Sequence, residues 1–67
     1  MDKEHILNEV TNLIWHITNI SIKNKRESER EVAKGLNGYT HMVFAKQMDA
    51  IRDRLVILKN YLKLEEE

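Results

Sequence analysis

Backbone breakers constrain this chain more than any other feature. It contains no proline and only two glycines, Gly35 and Gly38, three positions apart. Proline removes a helical hydrogen bond and glycine weakens helices, so a chain with one glycine pair and nothing else to break it reads as helix, turn, helix. At 67 residues the chain reads as a single small helical domain, or part of one. With 42% hydrophobic and 33% charged residues it is too apolar for a disordered chain, and the absence of cysteine excludes disulfide staples and thiolate metal cages.

Apolar residues recur at Ile6, Val10, Leu13, Ile17 and Ile20, alternating steps of four and three that define a helical seam. Asp2 is placed to cap this helix, and Glu4 suits its positive end. A second seam follows the glycines: Phe44, Met48, Ile51, Leu55, Leu58 and Leu62. Thr40 is the expected N-cap after the turn-forming Asn37-Gly38 pair. Glu65–Glu67 put negative charge at the negative end of the helix dipole and are expected to fray. The spacing therefore predicts an all-α antiparallel hairpin with helices over about 2–34 and 41–64.

Residues 23–31 carry no apolar side chain. The Lys23/Glu27 and Lys25/Glu29 pairs four apart favour continuing the first helix through this stretch to Gly35 as its C-terminal cap. Ser28 and Glu31 form a capping-box pattern that supports the competing arrangement, a compact three-helix monomer with a break near residues 23–28. In the hairpin, folding the two seams together sets Ile20 against Leu55, Ile17 against Leu58 and Leu13 against Leu62. Phe44 and Met48 then face Arg30 and Arg26, which cannot bury them.

Each helix has further apolar positions off its seam. At 100° per residue, Trp15 and Ile22 lie nearly opposite Leu13, together with Ala33. Val43, Ala50 and Ile57 form a second stripe on the other helix, joined by Tyr61. Two stripes per helix imply two neighbours, as in a four-helix bundle completed by dimerisation or by a larger protein. Size points the same way, because a core in a chain this short contributes only about 3–5 kcal/mol net and is commonly supplemented by association. The expected interface residues are Trp15, Ile22, Phe44, Met48, Ile57 and Tyr61. The function this implies is a small non-enzymatic protein–protein interaction module: an adaptor, regulator or inhibitor, or co-chaperone.

Chemistry is sparse. His5, Glu9, Asn12 and His16 share a ridge, but His5 and His16 stand about 16 Å apart by helical rise and match no adjacent-turn ligand pattern. No serine has a histidine at helical spacing, and no glycine-rich phosphate cradle occurs. No cofactor and no small-molecule substrate is expected. Nucleic acid is the alternative partner, through a basic ridge of Arg52, Lys59 and Lys63. Against it, eleven basic residues balance eleven acidic ones, and Asp49 and Asp53 adjoin the ridge. The polar faces are not predominantly basic, so no membrane association is expected. With no signal-peptide core and no 18-residue apolar run, the chain reads as cytoplasmic.

Overall fold

The computed structural model describes residues 2–64. Two helices, α1 (Lys3–Ala33) and α2 (Tyr39–Leu64), pack against each other as an antiparallel hairpin 53 Å long and about 15 Å across. Among the described residues there is no strand, and no helix is long and apolar enough to cross a membrane. The expected fraying of Glu65–Glu67 lies outside the described residues.

Asp2 caps α1, its carboxylate accepting from the Glu4 amide at 3.1 Å. The helix then runs unbroken through the charged stretch, so the three-helix alternative with a break near 23–28 is not what forms. The Ser28/Glu31 pattern does not start a new helix because Ser28 is engaged elsewhere. Its hydroxyl donates across the hairpin to the Gly38 carbonyl at 2.8 Å.

The C-terminus of α1 closes as a Schellman motif. Leu36 N–H reaches the Glu31 carbonyl at 2.8 Å and Gly35 N–H reaches Val32 at 3.0 Å, with Gly35 left-handed at φ +83°. The α2 start differs from expectation. Thr40 lies inside the helix; the Gly38 carbonyl accepts the first helical bond from Met42, and the Asn37 side chain accepts from Tyr39 N–H at 2.6 Å. An asparagine can satisfy the amide two residues on without a hydroxyl cap at Thr40.

Small residues determine how the helices meet. Ser21, Ser28, Gly38 and Ala45 are all buried, whereas Ile17 is the only large apolar side chain buried among the described residues. The pairs Ser21/Ser28 and Gly38/Ala45 are each seven apart, so they stack along one line of each helix. Ser21 Oγ lies 3.3 Å from the Ala45 carbonyl and Ser28 Oγ 2.8 Å from that of Gly38. These ties correct the expected register. Ile20 stands level with Met48 and Ile51 rather than Leu55, and Leu13 with Leu55 and Leu58 rather than Leu62. The chain turns over within residues 34–38, and close approach is possible only where side chains are small, which rotates the seams away from one another.

Candidate functional site: an open apolar face

Burial around each helix shows what that rotation exposes. On α2, Met48, Leu55 and Leu62 are half-buried, while Phe44, Ile51 and Leu58, on the flank away from α1, are 44%, 43% and 48% exposed. On α1, Leu13 is 45% exposed, with Ile6 and Ile20 half-buried on the same flank. Like flanks of two antiparallel right-handed helices turn toward one face of the hairpin. The two seams thus lie side by side on a single face instead of burying each other. That apolar face extends from Ile6 and Leu62 near the open end to Phe44 near the turn.

The other face is pinned by polar contacts. Asp49 gathers three donors there: Ser21 Oγ at 2.5 Å, Lys25 Nζ at 2.9 Å and Arg52 Nη1 at 3.4 Å. The Ser21 hydroxyl and the Lys25 ammonium hold the Asp49 carboxyl below its ordinary range, with Arg52 adding to the effect and partial burial opposing it. Ser21 is almost fully shielded, so its single proton has a partner where water has no access. Thr11 and Thr18 return their hydroxyls to the carbonyls of Leu7 and Ile14 within α1. Near the turn His41 Nδ1 faces Glu31 Oε1; both atoms are shielded and have only each other as polar neighbours. His41 is therefore part of the helix contact.

The six expected interface residues do not form one patch. Phe44 and Met48 belong to the apolar face. Trp15, 65% exposed, and Ile22 sit on the outer side of α1, toward the polar face. Ile57 and Tyr61 are exposed on the outer side of α2, lining a shallow depression with Asn60 and Leu64. Periodicity places Leu13, Ile51 and Leu58 on the helix–helix seam, and the structure adds them to the exposed set. The signal that relocates them is the heptad spacing of small residues, Ser21/Ser28 and Gly38/Ala45, which marks a tighter contact line beside the seam.

The basic ridge is divided. Arg52 continues the Gly38/Ala45 line, is half-buried, and is engaged by Asp49 and by Asp53 at 3.1 Å. Lys59 is half-buried one heptad further on, and Lys63 is exposed. Glu9, Val10, Asn12, Leu13 and His16 line a shallow groove along α1. Among the described residues no group of three or more histidine, aspartate or glutamate side chains is placed to hold a metal ion. Comparison with protein-family models, curated proteins and solved structures finds no match to this chain.

Proposed function

We propose that this chain is a non-enzymatic protein–protein interaction module, an adaptor, regulator or co-chaperone, that works through the apolar face. One observation carries the reading: Leu13, Phe44, Ile51 and Leu58 are all more than two-fifths exposed and share one face of the hairpin. Contiguous apolar patches of this kind on small proteins mark interaction surfaces, unlike singly scattered apolar residues. Trp15 and Ile22 on one outer side, and Ile57 and Tyr61 on the other, offer smaller additional contacts for a larger partner. Nucleic-acid binding through the α2 ridge is the weaker reading, because the carboxylates of Asp49 and Asp53 already engage Arg52.

Affinity capture with the wild-type chain and with a Leu13→Glu/Ile51→Glu variant tests the reading. Both substitutions fall on exposed positions, so helicity should persist. The account expects proteins, including further copies of this chain, to be retained by the wild type and lost from the variant. Identical retention by both would remove the face from any binding role.

A further inference from the structure

We infer that the outer side of α1, turned away from α2, binds single-stranded nucleic acid, a function separate from that of the apolar face. At 100° per residue, Trp15, Asn19, Lys23, Arg26, Arg30 and Lys34 fall in one strip about 100° wide along this side. All six are exposed, and no acidic residue of α1 falls within the strip. In sequence these cations are interleaved with carboxylates, and the fold separates the two. Lys25 turns inward to Asp49 at 2.9 Å, and Glu31 faces His41 across the hairpin. Glu27, half-buried at the edge of the strip, holds Arg30 at 2.6 Å. Lys23, Arg26 and Lys34 make no ion pair among the described residues. The balance of charge in the composition is therefore not a balance in space.

The form of the strip selects the ligand. Lys23 to Lys34 make a line of cations about 16 Å long by helical rise, suited to tracking a phosphate chain. Trp15 stands about 12 Å beyond Lys23 on the same line and is 65% exposed, offering an aromatic face on which a base stacks. Between them, Asn19 joins Lys23, Arg26 and Arg30 in lining a shallow depression of about 470 Å³. That volume lies within the roughly 300–1,000 Å³ that ligand-sized groups fill. Glu27 on one flank and Glu29 on the other stand about 70–90° off the middle of the strip. Those carboxylates would face the second backbone of a duplex, so one strand fits the surface and two do not. Phosphates and stacked bases are common to DNA and RNA, and the strip is suited to that shared chemistry.

The test titrates labelled oligo-dT and oligo-U of about 16 nucleotides with the full chain, reading anisotropy and the emission of Trp15. Trp15 is the sole tryptophan, so its quenching reports stacking directly. Binding to at least one oligomer is expected at low salt, and which one binds names the source. Three phosphates engaged by Lys23, Arg26 and Lys34 should make binding about 100-fold weaker over a tenfold rise in salt. Lys23→Gln/Arg26→Gln/Lys34→Gln should lose binding by about tenfold or more with its circular dichroism unchanged, since all three positions are exposed. Lys63→Gln, on α2, should bind as the wild type does. No binding at low salt, or equal binding by the triple variant, overturns the proposal. Saturation without quenching of Trp15, or displacement by polyglutamate of equal charge, also overturns it, since the strip then takes any polyanion. The capture experiment on the apolar face stands or falls separately from all of these outcomes.

Discussion

Ser21 and Asp49, 28 positions apart in sequence, are joined by a 2.5 Å hydrogen bond that crosses from one helix to the other. The same carboxylate holds Lys25 at 2.9 Å, so the polar face is tied at its middle by charge-assisted bonds. Because these contacts depress the Asp49 pKa in the folded state, their contribution is fully present above the unfolded carboxylate value near 3.9 and is lost as pH falls through the folded value. Asp49→Asn should cost about 1 kcal/mol at neutral pH. Its deficit relative to wild type should shrink on acidification below about pH 4. Urea unfolding of both proteins at a series of pH values checks the sign.

The turn offers a contrast between its two glycines. Both are left-handed, but a Cβ on Gly35 would meet open space, whereas on Gly38 it would stand 2.6 Å from the Ser28 carbonyl oxygen and 2.8 Å from Ser28 Oγ. Gly35→Ala is expected to cost about 1 kcal/mol, the ordinary left-handed penalty. Gly38→Ala should cost about 3 kcal/mol or more, since strain and displacement of Ser28 combine. Equal effects in thermal or urea unfolding would contradict the close approach at Ser28.

Adjacent residues Phe44 and Ala45 serve different purposes. Ala45 is fully buried on the helix contact line and Phe44 is on the open face. Ala45→Leu should separate the helices and destabilise the fold by about 1–3 kcal/mol. Phe44→Ala should leave the helix content intact and weaken association instead. Circular dichroism combined with sedimentation distinguishes the two responses.

Trp15 lies outside the apolar face. Trp15→Ala should therefore weaken protein capture less than Phe44→Ala, and the tryptophan emission of the free wild-type chain should be solvent-like. A larger loss with Trp15→Ala would move the protein interface to the outer side of α1.

Helix number, the turn at the two glycines, the Asp2 cap and the unbroken α1 are all legible in the sequence, because capping and breaker chemistry act locally. Thr40 misleads as a cap because Asn37 satisfies the same end of the helix from two residues earlier. The rotation of the helices is harder to read. Periodicity ranks positions by hydrophobicity and so selects Leu13, Ile20, Leu55 and Leu58 for mutual burial. The contact is decided instead by how closely two backbones can approach, which favours Ser21, Ser28, Gly38 and Ala45. A hydrophobic seam can thus be correct in position and still face outward. The expected interface residues divide for the same reason: only Phe44 and Met48 share the face that the rotation opens.

Thermal unfolding across a hundredfold range of concentration of the captured protein, a further copy of this chain included, tests the central claim, that this hairpin exposes an apolar face which association covers. If association stabilises the fold, the midpoint of the wild type rises with that concentration, whereas that of Leu13→Glu/Ile51→Glu stays fixed. Midpoints that respond alike in both proteins would contradict the account.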